Sequence, residues 1–143
     1  MVVPVGGGGL IAGMAAWLSE NRPDVRIIGV ESAGAASTSA ALAAGEPVKL
    51  PQVDMFVDGT AVGLAGSCTY DLVRDLVDEV VVVPEGAVCT EMLDLYHLDG
   101  IIAEPAGALS TTAISLAAAG LLQGRPLDGG TVGIISGGNN DLT

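Results

Sequence analysis

The order of apolar and polar positions predicts that the chain begins with a strand, a helix and a second strand. Residues 2–5 form an apolar run of the length expected for a buried strand. Within residues 10–20, apolar side chains recur at the spacing of one helix face: Leu10, Met14, Trp17 and Leu18. A second apolar run follows at residues 25–30. These elements form a βαβ unit, whose two strands we expect to be parallel.

The remainder of the chain continues the alternation of helices and strands. The predicted helices cover residues 35–44, 69–77, 84–97 and 105–124, and the predicted strands cover residues 80–83 and 131–135. Residues 46–58 contain two prolines and show no period, which predicts an irregular surface segment. Strands that alternate with helices are typical of an α/β fold. We expect a largely parallel open sheet with helices on both faces.

Composition and charge narrow the classes of partner. Only four of the 143 residues are Phe, Trp or Tyr, so the core must be built from Val, Leu, Ile and Ala. The net charge of −12 argues against nucleic acid and anionic membrane surfaces as partners. Residues 105–124 carry no charge, but their Ala, Gly, Ser and Thr content favours a buried core helix over a membrane span.

The cysteines and the N-terminal residues indicate where the protein works. Cys68 and Cys89 form no C-x-x-C pair, which argues against a zinc site and for a reduced compartment. The chain shows no basic segment followed by the apolar core of an export signal. We therefore expect a cytoplasmic location.

Four consecutive glycines, Gly6, Gly7, Gly8 and Gly9, join the first predicted strand to the first helix. Glycine permits positive φ and places no side chain between the backbone amides and a ligand. The helix N-terminus adds unpaired N–H groups and the positive end of its dipole. The segment therefore predicts a phosphate-binding loop, and the structural alternative is a tight turn that binds nothing.

The same glycines also fit a dinucleotide-binding fingerprint. Gly7, Gly9 and Ala12 match the G-x-G-x-x-[GA] spacing, and Glu31 ends the next strand, where a carboxylate can bind a ribose hydroxyl. The extra glycines favour a single phosphate surrounded by amides over a pyrophosphate turn. No Gly-Lys-Ser/Thr follows them, which excludes a P-loop.

Three further residues are candidates for chemistry, and each has a structural alternative. Ser136 follows the last predicted strand and precedes glycines, so its hydroxyl can either bind a ligand or belong to a turn. Glu104 precedes Pro105 at a predicted helix start, where a carboxylate commonly caps the helix. His97, the only histidine, lies near a predicted helix end, which favours a capping or surface role.

Five motifs, taken in their order along the chain, resemble one enzyme family. They are Val-Gly-Gly-Gly-Gly-Leu at 5–10, Val-Glu at 30–31, Asp-Gly-Thr-Ala-Val at 58–62, Glu-Pro-Ala-Gly-Ala at 104–108 and Ser-Gly-Gly-Asn at 136–139. This series resembles the threonine dehydratases, which are pyridoxal-phosphate enzymes of the tryptophan-synthase-β fold type and relatives of serine racemase. The segment Gly-Glu-Pro-Val-Lys-Leu-Pro at 45–51 is similar to the biosynthetic members of the family.

The resemblance implies a role for each candidate residue. The phosphate of pyridoxal 5′-phosphate would be held by Gly6, Gly7, Gly8, Gly9 and the amide of Leu10, with the backbone of Gly59 near the cofactor. Ser136 would hydrogen-bond the pyridine nitrogen, and Glu104 would lie near the ring and the substrate hydroxyl. A serine hydroxyl cannot keep that nitrogen protonated as an aspartate would. The ring is then a weaker electron sink, which suits elimination.

The reaction that the resemblance implies is the dehydration and deamination of L-threonine to 2-oxobutanoate and ammonia in isoleucine biosynthesis, with L-serine as a second substrate. It also implies a homo-oligomer at full length. Two other functions stay open on the residues alone. One is a catalytically inactive module that binds pyridoxal phosphate or another phosphate ligand, and the other is a dinucleotide-binding domain.

Two features depart from the pattern of the family. Racemase-like members hold a divalent cation through a glutamate, a backbone carbonyl and an aspartate; Glu31 and Ala35 match, but Ser37 replaces the aspartate, so we predict no metal site. The family's aldimine lysine belongs to a segment preceding all five motifs, and Lys49, the only lysine here, lies outside them. We therefore expect residues 1–143 to be a partial catalytic domain, inactive alone, without that N-terminal segment or any C-terminal regulatory domain.

Overall fold

A computed structural model describes residues 1–140 of the chain, with helices packed around a parallel sheet. The strands are β1 (Val2–Pro4), β2 (Ile28–Ser32) and β3 (Glu79–Val83). The helices are α1 (Gly9–Asn21), α2 (Ser37–Ala44), α3 (Ser67–Leu76), α4 (Glu85–Asp99) and α5 (Leu109–Ala118). Two short 3₁₀ turns, Ala33–Ala35 and Asp58–Thr60, lie in the connections.

The sheet confirms the predicted α/β class. Its strands lie in the order β1-β2-β3 and are parallel, with Val3 paired to Gly29 and Gly29 paired to Val80. Parallel strands bring their carboxyl ends to one edge, where open α/β sheets bind their ligands. The four consecutive glycines at 6–9, here called the glycine loop, follow β1 at this edge. The topology therefore places the predicted phosphate-binding loop where ligands are expected.

Helices cover both faces of the sheet, as predicted. On one face, Val30 and Val83 pack in a cluster with Leu95 of α4 and Leu109 of α5. On the other face, Val3 packs with Ile11 of α1 and with Val73 of α3 in a second cluster. Both clusters are built from Val, Ile, Leu, Ala and Met, which confirms the core composition expected from a chain with few aromatic residues.

The prediction of a last strand at residues 131–135 is wrong. The segment meets β1 only through an isolated parallel bridge between Val2 and Gly133, with hydrogen bonds from Val2 N to Val132 O (2.8 Å) and from Ile134 N to Val2 O (3.0 Å). The next residue of β1 on this side is Pro4. Proline has no backbone N–H, so the ladder cannot continue past the first pair.

The predicted helix over residues 105–124 is shorter than expected. It begins at Leu109, because residues 104–108 form a turn held by a hydrogen bond from Glu104 N to Gly137 O (3.1 Å). Only the first half of α5 is buried, and in its second half Ser115 and Ala118 are exposed. The prediction of a buried core helix is therefore correct for one half of the element. Within residues 1–140, no helix has the length and apolar character that a membrane span needs.

Candidate functional site

The predicted site residues line one cavity at the carboxyl edge of the sheet. The cavity has a volume of about 270 Å³. Its lining includes all the residues that the sequence singled out for cofactor and substrate contacts: Gly6, Gly7, Gly8, Gly9, Leu10, Gly59, Glu104 and Ser136. These residues come from four separate segments of the chain. The fold therefore assembles motifs that are up to 130 residues apart in the sequence, from Gly6 to Ser136.

The glycine loop presents bare backbone to this cavity. Gly8 adopts φ +85°, a left-handed conformation that a side chain disfavours. A Cβ at Gly6 would lie 2.9 Å from the Thr60 Cα, so only glycine fits there, whereas Gly7 and Gly9 face open space. Among the described residues, no acceptor is found for the backbone N–H groups from Gly6 to Leu10. The loop therefore offers a set of free donors to an anion.

Glu104 lies in the cavity and does not cap a helix. α5 begins only at Leu109 and receives no side-chain cap. The half-buried Glu104 carboxylate instead lies between the Asp58–Thr60 turn and Gly137. Its Oε1 is 3.4 Å from the position of a Cβ on Gly59, and it would overlap a Cβ on Gly137. Glycines at both positions therefore leave room for this carboxylate beside the cavity.

Ser136 is exposed and lines the cavity, three residues after Gly133, which forms the bridge to β1. Two hydrogen bonds to Ile134 fix the segment that precedes it, one from Ile134 N to Val2 O (3.0 Å) and one from Ser110 Oγ to Ile134 O (2.6 Å). Among the described residues, no hydrogen bond involving the Ser136 hydroxyl is found. The hydroxyl is therefore free to bond with a ligand.

Glu31, the residue proposed for a ribose hydroxyl, is fully buried outside the cavity. Its carboxylate accepts hydrogen bonds from Thr38 N (2.8 Å), Ser39 N (2.8 Å) and Ser39 Oγ (2.7 Å), and so caps the N-terminus of α2. Burial raises the pKa of the Glu31 carboxyl above its ordinary value, although these hydrogen bonds offset part of the effect. The dinucleotide interpretation therefore loses the carboxylate on which it depended.

The other polar candidates also lie apart from the cavity. Lys49 is exposed in the irregular segment between α2 and the Asp58–Thr60 turn. His97 is exposed in the last turn of α4, in agreement with the capping or surface role predicted from the sequence. The Ser37 hydroxyl is buried and has no partner among the described residues. Within residues 1–140, no group of three His, Cys, Asp or Glu side chains is arranged to hold a metal ion.

The sequence interpretation missed four residues around the site, of which Pro4 lines the cavity at the end of β1. Thr60 and Ala106 line the cavity, and both are buried. Thr69, in the first turn of α3, donates a hydrogen bond from Oγ1 to the carbonyl of Gly7 (2.8 Å). The motifs at 58–62 and 104–108 contain Thr60 and Ala106, so a closer interpretation of those motifs could have found them. No local pattern marks Thr69, because its contact to Gly7 depends on the packing of α3 beside the loop.

Comparison with known proteins identifies what this arrangement is similar to. Residues 1–137 match the family described as pyridoxal-phosphate dependent enzyme. The chain is 56% identical, over its whole length, to the L-threonine dehydratase biosynthetic IlvA of Mycobacterium tuberculosis (strain ATCC 25618 / H37Rv), of which it covers 32%. The chain thus spans about a third of the length of the curated relatives it matches.

Solved structures give the same result. The processed form of threonine deaminase isoform 2 from Solanum lycopersicum superposes with a TM-score of 0.86 at 37% identity, covering 99% of this chain and 40% of that protein. Maize serine racemase superposes with a TM-score of 0.74 at 36% identity, covering 78% of this chain and 35% of that protein. The predicted resemblance to threonine dehydratases and the predicted fold type are confirmed. The chain belongs to the family of pyridoxal-phosphate dependent enzymes.

Proposed function

We propose that the protein catalyses the pyridoxal-phosphate-dependent dehydration and deamination of L-threonine, and of L-serine as a second substrate. The products from L-threonine are 2-oxobutanoate and ammonia, which places the reaction in isoleucine biosynthesis. The observation that carries the proposal is the single cavity formed by the glycine loop, Gly59, Glu104 and Ser136. The sequence comparison also supports the proposal, because the chain is 44–56% identical to biosynthetic threonine dehydratases.

The cavity residues fit the cofactor. The unpaired N–H groups of residues 6–10 suit a phosphate dianion, and a Cβ on Gly6 would collide with Thr60, which also lines the cavity. The free Ser136 hydroxyl suits an aromatic nitrogen, with which a neutral hydroxyl can form a hydrogen bond without a full charge. The lining is narrow at Gly59, where a Cβ would lie 2.8 Å from the Ala106 Cβ.

Each residue has a defined task in the proposed mechanism. When bound, pyridoxal phosphate stabilises negative charge at the substrate α-carbon. The amides of the glycine loop bind and orient the phosphate, and the dipole of α1 favours its charge. The Ser136 hydroxyl fixes the ring nitrogen. The carboxyl of Glu104 holds a proton beside the substrate hydroxyl and transfers it to the oxygen that leaves as water.

Among the residues that the structure describes, no lysine lines the candidate cavity. Lys49 lies on the surface, away from the cavity, and so we propose no catalytic part for it. This stretch of the chain would therefore supply the contacts to the phosphate, the ring nitrogen and the leaving hydroxyl. We propose that it is a partial catalytic domain that is inactive alone, and that the full protein is a cytoplasmic homo-oligomer.

The same observation favours a second candidate function, a catalytically inactive module that binds pyridoxal phosphate or a related phosphate ligand. Lys49 is exposed and lies outside the cavity lining, so neither function predicts a specific adduct on it. Turnover of L-threonine by an assembled enzyme that contains this chain distinguishes the two. Turnover would contradict the inactive module, and cofactor binding without turnover would support it.

A chimera tests the enzymatic proposal. The chain replaces the matched third of the M. tuberculosis relative, and the formation of 2-oxobutanoate from L-threonine is measured. We expect the chimera to be active, and Glu104→Gln to lower kcat by about 10²-fold or more, the usual contribution of a general acid. A folded chimera that binds the cofactor but does not convert L-threonine would contradict the proposal.

Binding to the chain itself gives a second prediction. We expect pyridoxal phosphate to bind weakly, Ser136→Ala to reduce the affinity, and Gly8→Asp to abolish binding, because the new carboxylate repels the phosphate from a strained position. Absorbance titration measures the affinity. Gly13→Asp is the matched control, since Gly13 is exposed in α1 with open space around it. NADH binding that is lost on neutralising Glu31 would contradict this assignment.

A further inference from the structure

Thr69 connects the glycine loop to a helix that lies far away in the sequence. It occupies the first turn of α3 and is half-buried. Its Oγ1 lies 2.8 Å from the carbonyl oxygen of Gly7, across 62 residues of chain, and 3.0 Å from the carbonyl oxygen of Gly66. A Cβ on Gly8 would lie 3.0 Å from the Thr69 Cβ, so this side chain also packs against the loop.

The hydrogen bond sets the direction of one peptide plane. Among the described residues all peptide bonds are trans, so the Gly7 carbonyl and the Gly8 N–H point to opposite sides of their peptide. The Gly7 carbonyl points towards α3, where Thr69 donates to it. The Gly8 N–H therefore points away from α3. Gly8 itself lines the candidate cavity, and its N–H has no acceptor among the described residues.

Four glycines in a row need such a constraint. Glycine loses more conformational freedom on ordering than any other residue, and a peptide between two glycines can turn either its oxygen or its N–H towards the cavity. A carbonyl oxygen facing the ligand would repel an anion. A glycine loop that is already fixed with its N–H groups towards the cavity binds an anion more tightly, because less conformational entropy is lost on binding.

We propose that Thr69 is a positioning residue for the cofactor phosphate. By donating to the Gly7 carbonyl, it holds the Gly7–Gly8 peptide with its N–H towards the phosphate. This inference rests on the proposed function, because it concerns the same cavity. It adds a residue that does not touch the ligand and that belongs to none of the five motifs.

A purely local role for Thr69 is the competing explanation. Gly66 is the residue that precedes α3, so a bond from Thr69 to its carbonyl would only stabilise the helix start. The hydroxyl has one proton, which the two carbonyls share. A local role predicts that loss of the hydroxyl lowers stability and leaves the affinity for phosphate unchanged. The positioning role predicts a loss that is specific to ligands carrying phosphate.

The experiment titrates the ¹⁵N-labelled 143-residue chain with pyridoxal phosphate, with inorganic phosphate and with pyridoxal, which lacks the phosphate. The Gly8 and Gly9 amide resonances report binding. We expect Thr69→Val to weaken both phosphate ligands about 5- to 10-fold, the effect of one hydrogen bond. Thr69→Ser, which keeps the hydroxyl, restores binding. Thr90→Val is the matched control, because the Thr90 hydroxyl bonds the Gly86 carbonyl (3.1 Å) on an exposed face of α4.

The outcomes separate this inference from the proposed function. If wild type binds pyridoxal phosphate and Thr69→Val binds it equally well, the positioning role is overturned and the proposed function stands. An equal loss of affinity for pyridoxal and for pyridoxal phosphate also overturns it, because the effect is then not on the phosphate. If wild type binds neither phosphate ligand, the positioning role is overturned, and the proposed function is decided separately by the activity of the chimera. A phosphate-specific loss that Thr69→Ser rescues supports the positioning role.

Discussion

At the scale of single residues, Glu31 illustrates how burial changes the meaning of a carboxylate. The residue ends a strand at the expected distance from the glycine loop, a position that suggests ligand binding. In the folded chain it is fully buried, and both of its oxygens accept hydrogen bonds from the first turn of α2. α2 has no other side-chain cap. Glu31 therefore acts as a cap supplied by a neighbouring strand.

We expect Glu31→Gln to lower the free energy of unfolding by about 1–2 kcal/mol, the range measured for lost helix caps. The amide nitrogen of glutamine cannot accept the N–H bonds that one carboxylate oxygen accepts from Thr38 or Ser39. Urea denaturation of the two chains measures the difference. Glu20→Gln, on an exposed turn of α1, is the control and should change little. Equal stability of wild type and Glu31→Gln would contradict the capping role.

The pH dependence of this difference follows from the raised pKa of Glu31. The folded chain holds the Glu31 proton more tightly than the unfolded chain, so protonation favours folding. This contribution is complete below the ordinary glutamate pKa and is lost as pH rises through the raised pKa. The stability of wild type relative to Glu31→Gln should therefore fall as pH rises from about 4. Denaturation series at several pH values test this, and an advantage that grows with pH would contradict it.

At the scale of elements, the segment before Ser136 is held by one bridge to β1 and by helix α5. β1 can pair with this segment only through Val2, because Pro4 has no N–H to donate. The Ser110 hydroxyl of α5 provides the additional anchor at Ile134 O, and Gly133 fits closely against α5, with Ile114 Cδ1 2.8 Å from the position of a Cβ. Helix α5 thus adds a contact where proline prevents the ladder from continuing.

We therefore expect Ser110→Ala to loosen the segment that carries Ser136. Loss of the hydrogen bond to Ile134 O should cost about 1 kcal/mol and speed amide hydrogen exchange across residues 131–140. Exchange followed by mass spectrometry measures this. Ser115→Ala, on an exposed turn of the same helix, is the control. If exchange in this segment does not change, the anchor has been assigned to the wrong contact.

At the scale of the whole molecule, an apolar groove lies along α4, apart from the candidate site. It has a volume of about 560 Å³ and is lined by Phe56, Cys89, Met92, Leu93, Tyr96, Ile101, Ile102, Ala103 and Asn140. Leu93 and Ile102 are more than half exposed. The groove is larger than the site cavity, but its lining residues include no Asp, Glu, His, Lys or Arg.

An exposed apolar groove of this kind should bind a hydrophobic dye in the native state. We expect the folded chain to enhance the fluorescence of anilinonaphthalene sulfonate, and the double change Leu93→Gln with Ile102→Gln to reduce the enhancement at least twofold. Leu121→Gln is the control, because Leu121 is 70% exposed and lies outside the groove. An unchanged enhancement in the double variant would place the dye elsewhere.

The sequence by itself determined the fold class and most of the elements, and it predicted most of the residues that line the candidate cavity. Apolar periodicity located the helices and β3, because burial of one face requires that pattern. The glycine run indicated a phosphate-binding loop because bare backbone at a helix N-terminus leaves amides free for an anion. The role expected for Ser136 came from the resemblance to the family. The motifs identified the family, and the comparisons confirmed it.

Only the tertiary structure decided matters that depend on contacts across the chain. It decided that Pro4 ends the pairing of residues 131–135, that α5 begins at Leu109, and that Glu104 lies in the cavity without capping a helix. It also decided that Glu31 is a buried cap and that Thr69 reaches the Gly7 carbonyl. Local periodicity carries no information about a partner 62 residues away, so such contacts become visible only when the chain is packed.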